Sequence, residues 1–211
     1  MAHFVGCSID ISDFEVHEGL HREAYGAFRR MYSEASRDGV SLTIISGLRT
    51  FDYQRYIWEK KWKQLEAHKD QNGGRVSIAH TILKYSAMPA ASRHHWGTEV
   101  DLNSLENSWF ATRAGARVYA WLKENAARFG YCQVYSAPDL TTPPRSGYSE
   151  ERWHWSYIPV SSSLLKNYLA NVGDGLIRGF SGDDLVGRLR IRDQYVSGIA
   201  QECASIADRG L

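Results

Sequence analysis

The chain has 211 residues, enough for one globular domain whose core forms without help from metal or disulfides. Its 25 basic and 24 acidic side chains are scattered, for a formal net charge of +1, which excludes a nucleic-acid footprint and an anionic-membrane patch. No apolar run reaches membrane-spanning length.

The N-terminus reads Met-Ala-His-Phe-Val-Gly-Cys-Ser, with no basic region followed by an apolar stretch. A Sec leader is therefore either lacking or already removed. Residues 20–38 place Leu20, Ala24, Ala27, Phe28, Met31 and Ala35 on one face, which predicts an amphipathic helix stopped at Gly39. The β-branched run 41–46 predicts a strand, with Arg49 just past its end. A helix carrying Tyr53, Tyr56, Ile57 and Trp62 follows, and Lys60, Lys61 and Lys63 read as its solvated face. Residues 68–76 read as a polar loop with a Gly-Gly turn.

Val100 and Leu102 alternate with Glu99, Asp101 and Asn103, which predicts a strand with one polar face. A second amphipathic helix is expected over 112–129, with Val118, Trp121, Leu122, Ala126 and Phe129 inward and Gly130 at its end. After a loop at 138–149, Trp153 to Ile158 reads as a short aromatic strand. The tail predicts a helix near 162–170, a short helix near 181–189 and an edge strand at 193–199. Interleaved helices and strands, hairpin-like late in the chain, predict the α+β class. The expected organisation is one domain over 1–211, with the motifs in a core of about 20–160 and a C-terminal extension of about 161–211.

Cys7, Cys132 and Cys203 contain no Cys-x-x-Cys pair, so a cysteine-built zinc site and a thioredoxin motif are excluded. One disulfide with one free thiol, or three buried thiols, both fit that count. Most of the 12 Tyr and seven Trp read as core packing, and some as the wall of a binding groove. His3, His17, His21, His68 and His80 belong to no motif and read as surface or packing residues.

The chemistry concentrates in Ser92-Arg-His94-His95-Trp-Gly97-Thr-Glu99-Val-Asp101. A His and an Asp seven residues apart, the Asp on the polar face of a strand, converge if the chain turns at Gly97. Downstream stands Glu151-Arg-Trp153-His154. Two imidazoles and one carboxylate supply three protein ligands and leave a fourth position open, as a hydrolytic zinc requires. The spare carboxylate, Glu151, is placed to accept a proton from the attacking water and pass it to the leaving amine. The helical His-Glu-x-x-His motif is absent.

These motifs resemble those of the zinc D-Ala-D-Ala carboxypeptidase family. Its relatives include vancomycin-resistance carboxypeptidases and dipeptidases and the L,D-carboxypeptidases of wall recycling. The family pattern Ser-x-His-x-x-Gly-x-x-x-Asp stands here as Ser92, His94, Gly97 and Asp101. Its Glu-x-x-His half stands as Glu151 and His154, and an upstream Ser-Gly-x-Arg-x-x-x-x-Gln element as Ser46, Gly47, Arg49 and Gln54.

The resemblance implies a small antiparallel sheet with flanking helices and one Zn2+ in a surface groove. His94, Asp101 and His154 are the implied zinc ligands, and Glu151 the implied base. His95 is ambiguous by chemistry alone, and the seven-residue spacing selects His94. Arg49 would hold the terminal carboxylate or the developing oxyanion, with Gln54 and Ser92 as substrate-binding neighbours. Glu99 departs from the commoner Ala and lies on the same side as Asp101; it reads as solvated, the alternative being a rim contact to a cationic substrate group. The implied substrates are peptidoglycan stem peptides, trimmed of a terminal D-amino acid in the periplasm or outside the cell. An endopeptidase of the same fold, or a non-catalytic zinc-binding module, are the alternatives, and retention of Glu151 speaks against the second.

Overall fold

The computed structural model describes residues 14–15, 19–68, 74–137, 145–203 and 206. In chain order the elements are β1 (Phe14–Glu15), β2 (Leu20–His21), α1 (Arg22–Arg37), β3 (Ile44–Ser46), α2 (Phe51–Glu66) and α3 (Arg75–Leu83). They continue as β4 (Glu99–Leu102), α4 (Arg113–Asn125), β5 (Tyr131–Cys132), β6 (His154–Tyr157) and α5 (Ile158–Asn171). β1 and β2 form a small hairpin, while β3, β4, β6 and β5 lie side by side in that order as an antiparallel sheet. The α+β expectation holds, and among the described residues no helix is long and apolar enough to cross a membrane.

Strand alternation divides this sheet into an apolar face and a polar one. Val100 and Leu102 of β4, with Trp155 and Tyr157 of β6, join the core formed by Ala24, Ala27, Phe28 and Met31 of α1 and Val118, Trp121 and Leu122 of α4. The intervening residues face the other way. Register pairs Asp101 with His154 and Glu99 with Ser156, so the polar face gathers chemistry from two neighbouring strands.

A second core lies around α2 and α3. Trp58 and Trp62 of α2 and Ile78, Ala79, Ile82 and Leu83 of α3 are buried in it. α2 starts on a Thr50 side-chain cap to Tyr53 N, which satisfies one of the first-turn amides. Tyr53 and Tyr56 instead face outward and stack on each other.

The C-terminal stretch belongs to this second core. Ile177, Phe180, Leu185, Val186, Ile191 and Val196 are all buried in it, and Trp58 Nε1 donates to Ser181 O at 2.8 Å. A disulfide joins Cys132 on β5 to Cys203, with Cα atoms 5.6 Å apart. Cys7, His3 and His17 lie outside the described residues.

Three expectations need correction. The edge strand at 193–199 is instead a π-helical turn over Ile191–Val196, because Ile191 and Tyr195, four residues apart, both enter the core. The short helix near 181–189 contracts to a 3-10 turn at Asp183–Leu185. The strand at 41–46 keeps only its last half. Asn103 replaces the ladder there, accepting from Thr43 N and donating to Ser41 O. Its own φ is +63°, a region Asn tolerates better than most residues.

Candidate metal centre and active-site groove

A 3-10 turn at Arg93–Trp96 ends on Gly97 in the left-handed region, φ +68°. That conformation is costly for a residue with a Cβ, and it folds His94 back over β4 toward Asp101. The turn is pinned from the other side by the segment after β3. His94 Nδ1 donates to Gly47 O at 2.7 Å and Arg49 N donates to His94 O at 3.2 Å. With Nδ1 carrying the proton, His94 presents the lone pair of Nε2.

His154 is oriented in the opposite sense. Its Nε2 donates to Glu99 Oε2 at 2.9 Å, and its Nδ1 faces Asp101 Oδ1 at 3.0 Å and His94 Nε2 at 3.3 Å. His94 Nε2 lies 3.3 Å from Asp101 Oδ1. The three donor atoms thus form a triangle with edges of 3.0–3.3 Å. Zinc bonds of about 2.0–2.1 Å at a tetrahedral angle separate neighbouring ligand atoms by roughly 3.3 Å. The donor set and its spacing therefore fit a zinc ion with a fourth position open. All three side chains are buried, and each ring is fixed by a hydrogen bond at its remote nitrogen, as metal-ligating histidines usually are.

Charge supports the same reading. Burial, the largest effect, lowers the His94 pKa, and the Arg49 guanidinium adds to it, so the ring stays neutral as a ligand must. Burial opposes the ionised form of Asp101 too, but the two imidazoles and Arg49 hold its carboxyl well below the usual range. Arg49 pairs with Asp101 Oδ2 through its guanidinium and donates from Nε to Ser46 Oγ at 2.9 Å. Asp101 therefore points one oxygen at the triangle and gives the other to Arg49.

Glu151 stands beside the triangle, with Oε2 3.7 Å from His154 Nδ1. No described residue donates a hydrogen bond to its carboxylate. Burial pushes its pKa up to about 8; His154 and Arg49 pull it down and Asp101 raises it further. A desolvated carboxylate with a raised pKa and no fixed donor is the kind of group that takes up and releases a proton near neutrality.

Glu99 corrects the sequence reading. It lies on the Asp101 side as alternation predicts, but it is wholly buried rather than solvated. Its Oε1 accepts from Ser156 Oγ at 2.7 Å and pairs with Arg93 at 3.2 Å. Burial works against its charge, yet Arg93, His154 and Ser156 together hold its pKa at about 2. The strand is central to the sheet, so no edge leads that side chain to water.

His95 is not part of the triangle. Its Nδ1 donates to Arg49 O at 2.6 Å and its Nε2 accepts from Ala90 N at 3.2 Å, so both nitrogens are used in bracing backbone. Gln54 is fully buried and does not line the groove. Its Nε2 donates to Ala87 O at 2.8 Å, which braces the wall segment at 85–87. Ser92 does line the groove.

The triangle opens into a groove of about 950 Å³. Beyond the motif residues its walls include Tyr85, Ser86, Asn107, Tyr135, Tyr148 and Lys61. Tyr135 packs against the His154 ring, centroids 4.6 Å apart, and helps hold it. Lys61, read from the sequence as part of a solvated face, is half-buried and faces the groove, while Lys60 and Lys63 are exposed. Its signal in the sequence was position alone: it lies one residue before inward-facing Trp62.

The profile of the VanY D-alanyl-D-alanine carboxypeptidase family matches residues 17–160. A D-alanyl-D-alanine carboxypeptidase of Enterococcus faecalis is 32% identical over 133 residues, covering 63% of this chain and 46% of that protein. The chain spans about half the length of the curated relatives it matches. Among solved structures, a vancomycin-resistance D,D-pentapeptidase VanY variant in complex with Zn(II) superposes with a TM-score of 0.53 at 27% identity, over 72% of this chain and 81% of that one. VanYB in complex with D-alanine-D-alanine gives a TM-score of 0.53 at 26% identity, over 75% and 84%. From the profile match over most of its length, the chain belongs to the VanY D-alanyl-D-alanine carboxypeptidase family.

Proposed function

We propose that this protein is a zinc-dependent carboxypeptidase that removes the terminal D-amino acid from peptidoglycan stem peptides. The observation that carries this reading is the buried His94, Asp101 and His154 triangle with a spare, uncommitted carboxylate, Glu151, at its edge. A structural zinc site has no use for that fourth group. The solved relatives, one in complex with Zn(II) and one with D-alanine-D-alanine, support both the metal and the substrate class.

His94, Asp101 and His154 would hold a zinc ion, which would supply Lewis acidity toward the scissile carbonyl and toward water near neutral pH. Glu151 accepts the proton of the attacking water as its oxygen bonds to the carbonyl carbon. The same carboxyl then gives that proton to the amine as the C–N bond breaks, leaving a shortened stem and a free amino acid. Arg49 fixes the orientation of Asp101 and lies on the groove wall, where its charge favours a developing oxyanion. Ser92 lines the same wall and is assigned to substrate binding. The Cys132–Cys203 disulfide supports a periplasmic or secreted location, since such bonds persist in oxidising compartments.

The test is a mass-spectrometric digest of defined tri-, tetra- and pentapeptide stems by the zinc-loaded protein, with a chelated control. Loss of one C-terminal D-residue, abolished by chelation, is the expected result. Internal cleavage as the main product would move the endopeptidase alternative to first place, and cleavage undiminished by chelation would overturn the zinc assignment.

A further inference from the structure

We propose that Lys61, with Ser86, is the site that recognises the free C-terminal carboxylate of the substrate. This rests on the carboxypeptidase reading above. Among the described residues, three cationic side chains other than the histidines line the groove: Arg49, Lys61 and Arg93. Arg93 pairs with Glu99, and Arg49 with Asp101. Lys61 differs. Among the described residues no carboxylate lies within ion-pair reach of its ammonium, and its one hydrogen bond is from Nζ to Ser86 Oγ at 2.6 Å.

An ammonium that is half-buried and lacks a counter-ion has lost water without gaining an anion. Burial accordingly lowers the Lys61 pKa; the Glu151 carboxylate raises it and Arg49 lowers it further. Lys61 thus feels both Glu151 and Arg49 across the groove. An anion bound against it would restore the missing partner.

Ser86 completes the arrangement. It is buried and lines the groove, and its Oγ accepts from Lys61 while its own hydroxyl proton has no acceptor among the described residues. The pair therefore offers two adjacent donors, one charged, which matches the two oxygens of a carboxylate. The wall that carries Ser86 is held by the Gln54 bond to Ala87 O. An internal amide offers no negative charge to this pair, so the same contact selects chain ends over chain interiors.

The experiment compares steady-state kinetics of the zinc-loaded protein on one stem peptide as free acid and as C-terminal amide. Wild type, Lys61→Met, Lys61→Arg and Ser86→Ala are measured, each checked for zinc content and thermal unfolding. For the free acid, Lys61→Met should raise KM about 10- to 100-fold with a smaller change in kcat, the range expected for one charge-assisted contact. It should leave the amide almost unaffected, Lys61→Arg should restore most of the free-acid preference, and Ser86→Ala should show a weaker form of the same KM effect. If wild type prefers the free acid and Lys61→Met keeps that preference in full, the Lys61 assignment is wrong while the carboxypeptidase reading stands. If wild type cleaves the amide as well as the acid, the carboxypeptidase reading itself fails.

Discussion

Glu99 and His154 are joined by a 2.9 Å hydrogen bond between Oε2 and Nε2, and that bond leaves Nδ1 as the nitrogen facing His94 and Asp101. Glu99→Ala should therefore loosen the ring and expose the unpaired charge of Arg93. We expect zinc affinity to fall about 10- to 100-fold, as for other partners of metal-bound histidines. Competition with a fluorescent chelator measures it. Unchanged affinity would mean that Tyr135 packing alone holds the ring.

The ligand set predicts a sharp contrast between adjacent histidines. His94→Ala, Asp101→Ala and His154→Ala should each come through dialysis with little zinc, because three protein ligands are the minimum for a stable open site. His95→Ala should keep its zinc. It should instead lower the melting temperature, since the ring braces Arg49 and Ala90 backbone. Elemental analysis together with thermal melts distinguishes the two classes, and full zinc in His154→Ala would remove it from the ligand set.

Replacing Glu151 separates binding from turnover. Glu151→Gln keeps the shape and the buried position while removing the base, so zinc content and fold should persist. Turnover of a stem peptide should drop about 100-fold or more. A variant with wild-type kcat would assign proton transfer to another group.

The metal-free protein should respond to pH in a defined direction. Burial disfavours charge on His154, but Asp101 and Glu99 at its two nitrogens outweigh it and push its pKa up to about 9 from 6.5. Burial raises Glu151 to about 8 from 4.5. Both folded-state values lie above the unfolded ones, so each group's stabilisation is fully present below its unfolded pKa and is lost as pH rises through the folded one. Without metal, the melting temperature should fall between about pH 6.5 and pH 9. A zinc ion held by His94, Asp101 and His154 would take the place of the His154 proton, so loading should flatten or reverse the trend. Melting curves with chelator and with equimolar zinc test this, and a metal-free melting temperature that rises across the window would refute it.

Much of the site was legible because its geometry follows from short-range rules. Two-residue alternation places Asp101 on the polar face of β4, and Gly97 supplies the turn that brings His94 over it. The remote Glu151 and His154 stand out by ligand chemistry and by the family pattern, but no local rule shows that His154 pairs with Asp101 across the sheet. What escaped was set by tertiary burial. Glu99 reads as solvated only if its strand has water on that face, and β6 with the Arg93 side chain denies it. Lys61 sits in a run of lysines whose solvation differs residue by residue around one helix. Ile78, Ala79, Ile82 and Leu83 of α3 carry helical spacing, but over only nine residues and directly after a Gly-Gly turn signal, which favours a loop locally.

The bond between Cys132 and Cys203 closes a covalent ring across a sequence separation of 71. Glu151 and His154 lie inside that ring, and His94, Asp101, Arg49 and Lys61 lie outside it. An unfolded chain that keeps the bond has already surrendered loop-closure entropy in the segment bearing Glu151 and His154, worth about 2–4 kcal/mol for a typical disulfide. Assembling the site then means docking a tethered loop onto a linear segment. The thiol state of Cys132 and Cys203 thus bears on how readily the segment with Glu151 and His154 finds the segment with His94 and Asp101.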